Sequence, residues 1–218
     1  MVTISRGNIK LGKIFNFSLP CKDTCPGKTT LCEEICYVDG FHRSAREAYQ
    51  RNYEASLLST FHAEVIAKLR RVRSRDKVFR IHVSGDFYTQ VYIQKWILIA
   101  RALPDWKFFG YTRSWRVPEF LPHLERLRSL PNVVLYASTD SPQEEGQPGW
   151  LVAQLFEDNP SVLRCKEEIF NDLIKQRYNV QSREDIERIA EENELRSIKC
   201  DTCRWCIDGR GNIAFKVR

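Results

Sequence analysis

Three apolar segments centred near Ile81, Phe109 and Leu135 recur about one strand–helix unit apart, and this rhythm limits the folds open to the chain. A strand, a helix and two short loops need roughly 25–30 residues. Residues 78–83 read as a strand, and a helix over 92–103 stops at Pro104. Residues 106–111 form the next expected strand, 118–130 a helix and 132–137 a further strand. Upstream, 13–19 alternate enough for a strand that Pro20 ends, and apolar residues at every fourth position predict one long helix over 44–73. Repeated βα units imply parallel strands with right-handed crossovers. The expectation is an α/β protein, a complete or partial TIM-like βα barrel, forming a single domain over 1–218 with its core units in 13–140.

Beyond Asp140 the pattern weakens. Residues 141–149, rich in Pro, Gly, Gln and Glu, predict a loop. The C-terminal segment 150–218 offers a short strand over 162–164, a helix from Glu167, and a second helix opened by Ser182-x-x-Asp185. A last strand is expected over 213–217.

Seven of the eight cysteines fall in two short stretches. The first holds Cys21, Cys25, Cys32 and Cys36, the second Cys200, Cys203 and Cys206, and Cys165 stands apart. Closely spaced thiols suit one metal centre better than distant disulfides. Cys25-x6-Cys32-x3-Cys36 lets three thiolates cover one face of a cubane, and Cys200-x2-Cys203-x2-Cys206 has iron–sulfur spacing. The reading is a [4Fe–4S] cluster on Cys25, Cys32 and Cys36. The fourth ligand is Cys206, Cys203 or an external molecule, with Cys200 beside them and Cys21 as a further candidate. Cys165 with Cys200, Cys203 and Cys206 is an alternative second site, and zinc is the alternative metal. His82 ends a strand and is the histidine nearest the expected site; His42, His62 and His123 read as helix residues.

With 43% hydrophobic and 11% aromatic residues the chain can bury a core without disulfides. No apolar run nears the ~20 residues of a membrane span, and the first six residues carry no signal-peptide pattern. A cytoplasmic protein that does not engage a membrane is expected. The net charge is +6, with a basic run at Lys68, Arg70, Arg71, Arg73, Arg75, Lys77 and Arg80. Such a run reads as a solvated helix end, with a nucleic-acid backbone as the alternative partner. Walker, dinucleotide and nucleophile-elbow motifs are absent from the sequence.

In parallel α/β folds ligands gather at the carboxyl ends of strands. There the sequence places the first cysteine loop, Ser84-Gly85-Asp86, Thr112-Arg113-Ser114 and Ser138-Thr139-Asp140. Asp86, Arg113 and Asp140 are the candidate catalytic residues, and Ser84, Gly85, Asp86 and Arg113 the candidate cofactor-binding ones. Trp115 and Trp205 flank the expected site loops. Both cysteine loops are expected at one end of the barrel.

Several motifs together are more specific. Asn16-Phe17-Ser18-Leu19-Pro20, Cys25-Pro26-Gly27, Cys32-x3-Cys36-Tyr37, His82-Val83-Ser84-Gly85-Asp86-Phe87, Gly110-Tyr111-Thr112-Arg113-Ser114 and the late cysteine triplet resemble the gene-product-eighty-eight family of bacteriophages and bacteria. The resemblance runs from Lys13 to Phe215 and implies a phage or prophage origin and an iron–sulfur centre, without a settled activity. A more distant similarity is to radical S-adenosylmethionine enzymes, which place a cysteine loop after the first barrel strand and a Gly- and acid-containing turn after the second. Their Cys-x3-Cys-x2-Cys triplet is matched at Cys32 and Cys36, but Asp39 holds the third place. Two function classes follow: a redox, electron-transfer or sensing iron–sulfur protein acting with a host or phage partner, and a cluster enzyme using S-adenosylmethionine and a small-molecule substrate.

Overall fold

The computed structural model describes residues 1–40, 42–156 and 162–216. A hairpin of β1 (Ser5–Asn8) and β2 (Gly12–Asn16) leads into the first cysteine loop, which carries α1 (Thr30–Glu34) and a 3-10 turn (Tyr37–Gly40). Then come α2 (Arg43–Leu57), α3 (Phe61–Arg70), β3 (Val78–Ile81), α4 (Gln90–Ala102) and β4 (Lys107–Thr112). Helix α5 (Leu121–Arg128), β5 (Val133–Thr139), β6 (Leu151–Phe156) and β7 (Leu163–Arg164) follow. The chain continues through α6 (Lys166–Tyr178), α7 (Arg183–Glu192), α8 (Cys200–Cys203) and β8 (Ile213–Lys216).

Among the described residues, eight strands join one sheet in the order β1-β2-β3-β4-β5-β6-β8-β7, so segment 150–218 extends the sheet begun by the core units. Only β1 runs antiparallel to its neighbour; the pairs from β2 to β7 are parallel. The fold is α/β, as expected, with a mostly parallel sheet, but the sheet is open, so the expected complete or partial TIM-like barrel is corrected to an open sheet. A barrel closes when its first and last strands pair at a consistent stagger. Here the hairpin strand β1 occupies one edge and the two-residue β7 the other.

Alternation along the central strands divides two cores. Phe79, Ile81, Phe108, Leu135 and Ala137 face the helices and pack with Val65, Leu69, Trp96, Leu124 and Leu127. On the opposite face Val78 and Phe109 join Ile14, Leu11 and Ile207, while Tyr136, Ala153 and Ile213 join Cys165. A parallel sheet covered on both faces gives this nearly continuous apolar pattern.

Three local expectations change. The single helix over 44–73 is broken at 58–60, where buried Lys95 of α4 donates to the carbonyls of Ser56, Leu57 and Leu58 at 2.7, 3.3 and 2.9 Å. A cation at a helix carboxyl terminus satisfies orphan carbonyls and favours the dipole. Strands β1 and β6 lie where no strand was expected. Of the last expected strand, Val217 lies outside the described residues. By contrast, Ser182 caps α7 as its sequence suggests, its hydroxyl accepting from the Asp185 N–H at 3.0 Å. No described helix is long and apolar enough to cross a membrane.

Candidate metal centres

The first cysteine loop is pinned to the carboxyl end of β3 by its own backbone. Leu19 N–H donates to Ser84 O at 2.9 Å, Ser84 Oγ donates back to Leu19 O at 2.8 Å, and Asp86 N–H donates to Thr24 O at 3.0 Å. Gly85 has φ +75°, and a Cβ there would come within 2.6 Å of both Leu19 Cβ and Thr24 Oγ1. Its close approach is to the loop. Gly27 makes a second such contact, where a Cβ would lie 2.0 Å from the Arg113 carbonyl oxygen. Only glycine permits these two backbones to meet.

Asp86 is fully engaged beneath that loop. Oδ1 accepts from Phe87 N–H at 2.7 Å and Thr112 Oγ1 at 2.6 Å; Oδ2 accepts from Arg113 N–H at 2.7 Å and Ser114 N–H at 3.2 Å. Burial pushes its carboxyl up, while these donors pull it down. Arg113 forms an ion pair with Asp140, whose N–H donates to Glu144 Oε2 at 2.8 Å. Ser84, Gly85, Asp86, Arg113 and Asp140 do converge at one end of the sheet. Their polar groups bind the loops to one another.

The first-loop thiols Cys25 and Cys32 lie within electrostatic reach of this network. Cys25 has Asp86, Cys32 and Cys21 as electrostatic neighbours, and Cys32 has Arg113, Asp140 and Cys36. Burial pushes the Cys25 thiol up to about 12 and raises that of Cys32, where Arg113 works in the opposite direction. A thiol held protonated is a poor nucleophile. Four soft donors in one loop suit a metal.

The second loop lies elsewhere. Cys200 N–H donates to Lys10 O at 2.9 Å in the turn before β2, and Lys13 N–H donates to Asp201 Oδ2 at 2.8 Å. Arg204 pairs at 3.1 Å with Asp76, just before β3, and Asp208 pairs at 2.8 Å with Lys107, the first residue of β4. These are the amino ends of the strands. The two cysteine loops therefore sit at opposite ends of the sheet, which corrects the expectation of a single shared end and removes Cys200, Cys203 and Cys206 as partners for Cys25. The physical reason is directional: a loop following a parallel strand lies at its carboxyl end, whereas the second loop precedes β8 and lies at its amino end.

On the sheet face opposite α3, α4 and α5, bordered by the first loop, the β1–β2 turn and the starts of α6 and α7, is a cavity of about 410 Å³ whose lining includes Tyr37, Arg80, Tyr111, Arg113, Ser138 and Lys10. Sequence reasoning missed Lys10 and Tyr111 as site residues and placed Arg80 in a surface run. Strand alternation carried the signal, since Arg80 is an inward-facing charge within apolar β3. Its guanidinium stacks 4.5 Å over the Tyr111 ring. The rest of the basic run divides: Lys68 and Lys77 pair with Glu64 and Asp105, and Arg70, Arg71, Arg73 and Arg75 are exposed.

His82 faces the helix-side core. Its Nε2 lies 2.8 Å from Tyr92 Oη, and its ring packs on Phe87. Burial, with Arg80 second, lowers it to about 3. Ser138 lines the cavity and its carbonyl accepts from Trp115 Nε1 at 3.1 Å, while the Thr139 hydroxyl is buried without a partner. Asp39 lies in the 3-10 turn after Cys36, and its side chain is outside the described residues.

A "Gene 88 protein" of Mycobacterium phage L5 is 28% identical over 244 residues, covering 97% of this chain and 90% of the relative. A protein of the same name from Mycobacterium phage D29 is 25% identical over 238 residues, with the same coverage of each chain. These relatives support a bacteriophage origin. No solved structure matches. The family model "Gene product 88" matches residues 3–209, nearly the whole chain and both cysteine loops, and the chain belongs to that family.

Proposed function

We propose that this chain is an iron–sulfur protein of redox function, in electron transfer or sensing, with a [4Fe–4S] cluster on Cys25, Cys32 and Cys36. The observation that carries the reading is that one loop, pinned by its backbone to the turns after β3 and β4, bears four thiols, with Cys25 within electrostatic reach of Cys21 and Cys32, and Cys32 of Cys36. The donor set fits such a cluster, and the loop bearing it is held from below by Asp86, Gly85 and Gly27. Cys21 is the loop's own candidate for the fourth corner, and four protein thiolates suit electron transfer. When bound, the cluster supplies one-electron chemistry. Arg113, paired with Asp140, places a positive charge beside Cys32 and favours its thiolate.

The cavity favours a second reading, an enzyme that uses the cluster on a small molecule. Against S-adenosylmethionine in that role, Asp86 already accepts four hydrogen bonds and Arg113 already has Asp140. The test is anaerobic purification with iron and sulfide analysis, followed by paramagnetic resonance of the reduced protein with and without S-adenosylmethionine. Iron and sulfide in equal amounts, reduced by about four of each per chain in Cys32→Ser, and a signal unmoved by S-adenosylmethionine support the redox reading. Stoichiometric zinc without iron sinks it, and cleavage of S-adenosylmethionine replaces it with the enzyme reading.

A further inference from the structure

The four cysteines outside the first loop surround one small space. Cys165, Cys200, Cys203 and Cys206 all line a cavity of about 30 Å³ between the sheet and the second loop. They come from separate places in the chain: Cys165 directly after β7, Cys200 and Cys203 at the two ends of α8, and Cys206 in the turn beyond. Cys200 has Cys165 and Cys206 as electrostatic neighbours, and Cys206 has Cys165 and Cys203. A triplet at x2 spacings completed by one remote cysteine is an iron–sulfur arrangement.

The surroundings are built for such a group. Phe109, Tyr111, Ile207, Ile213 and Trp205 wall the space with apolar surface. The loop is tightly wound: Cys203 N–H donates to Lys199 O at 2.8 Å and Arg204 N–H to Cys200 O at 2.9 Å, with Arg204 in the left-handed region at φ 58°. Charge is also provided. A cubane with four thiolates carries net negative charge, and Arg80 and Lys10 both stand close enough to act on Cys200. Among the described residues Arg80 has no ion pair; Nε donates to His82 O at 3.2 Å and its plane covers Tyr111. Arg80 lines the larger cavity on the far side of Tyr111 and is a half-buried positive charge within electrostatic reach of Cys200 and Cys206, which favours negative charge on those thiols.

A competing arrangement uses Cys165 with Glu167 and Glu168, which have ligand atoms within 4.8 Å of one another. Those carboxylates are mostly taken up by cations and backbone donors, although the buried Glu167 Oε2 accepts no hydrogen bond. Glu168 accepts from Lys10 Nζ at 2.9 Å and Lys216 N–H at 2.8 Å, and Glu167 pairs with Lys10 and Arg183. Carboxylate oxygens suit hard cations, whereas an iron–sulfur cluster is held by thiolates, and four thiols line the neighbouring space.

We propose that Cys165, Cys200, Cys203 and Cys206 hold a second [4Fe–4S] centre at the amino ends of the strands, separate from the first loop. The inference does not rest on the first centre, and the test keeps the two apart. Full-length protein with Cys21, Cys25, Cys32 and Cys36 all changed to Ser is reconstituted anaerobically with ferrous iron and sulfide. About four iron and four sulfide per chain are expected, one cubane, and adding Cys206→Ser or Cys165→Ser removes them. A variant that has native circular dichroism but binds no iron overturns the proposal, as does stoichiometric zinc in place of iron. If the fourfold variant does not fold, the wild type decides. About eight iron falling to about four in Cys165→Ser and in Cys206→Ser supports two centres. A wild-type content that neither substitution changes refutes the second. Iron lost in Cys206→Ser but indifferent to Cys25→Ser removes the first centre and leaves this one standing.

Discussion

The backbone N–H of Arg113 donates to the Asp86 carboxylate at 2.7 Å, so the turn after β4 hangs from the turn after β3. Thr112 and Ser114 add further donors to the same buried group. Asp86→Ala leaves several buried donors unmatched, each costing roughly 1–3 kcal/mol. The expected loss is about 3 kcal/mol or more in urea unfolding, with iron content falling because the first loop rests on these turns. Asp86→Asn sets an amide N–H against a backbone N–H and loses less. Unchanged stability in Asp86→Ala would show that the hub carries no weight.

Lys95 bonds backbone carbonyls of α2 and its end. Its ammonium closes the carboxyl end of α2 through three carbonyls. Lys95→Met is expected to cost about 1–3 kcal/mol and to speed amide exchange around residues 56–60. Iron content should be that of the wild type. An iron loss as large as that of Asp86→Ala would mean that α2 and the first loop fold as one unit.

How much of this was legible in the sequence depended on how local the cause was. Strands β3 to β5 and helices α4 and α5 announce themselves, because apolar alternation and helical stripes are fixed by neighbours in the chain. The break between α2 and α3 is not local. The four-residue stripe runs straight through it, and Lys95, which closes α2, is 37–39 residues away. Strand β6 was hidden because Leu151–Phe156 follows a long polar loop and has no helix before it. At the site, residue types were readable but their tasks were not. Asp86 and Arg113 stand at strand ends as expected, yet nothing in the spelling tells a carboxylate that awaits a ligand from one holding four donors. The separation of the cysteine loops was within reach. It follows from the direction of β8 once that strand is taken as parallel.

His82 makes the fold sensitive to acid. Burial and Arg80 hold its folded-state value near about 3, against an ordinary value of about 6.5. The unfolded chain therefore binds a proton between these values while the folded chain refuses it. The stabilisation is fully present above about pH 6.5, is lost as pH falls towards 3, and amounts to at most about 5 kcal/mol. His82→Asn suits the backbone, whose φ is 58°. It is expected to be less stable at neutral pH, through lost contacts with Phe87 and Tyr92, but to have a flatter midpoint between pH 6.5 and 3. Parallel pH curves for variant and wild type would exclude His82 as the cause.

Arg80 offers the most direct reading of the second centre's electrostatics. Reduction adds negative charge to a cluster, and a nearby fixed cation stabilises the reduced state more than the oxidised one. Arg80→Met keeps most of the apolar stem against Phe109 and Tyr111 and removes the charge that faces Cys200 and Cys206. The reduction potential of the centre on Cys165, Cys200, Cys203 and Cys206 should fall, and its cluster should be lost faster to a chelator. The first-loop centre, beside Arg113 at the other end of the sheet, should shift far less. Potentiometric titration followed by paramagnetic resonance, in wild type and in each set of cysteine variants, separates the two signals. Equal shifts in both centres, or none in either, would remove Arg80 as the counter-charge of the second site.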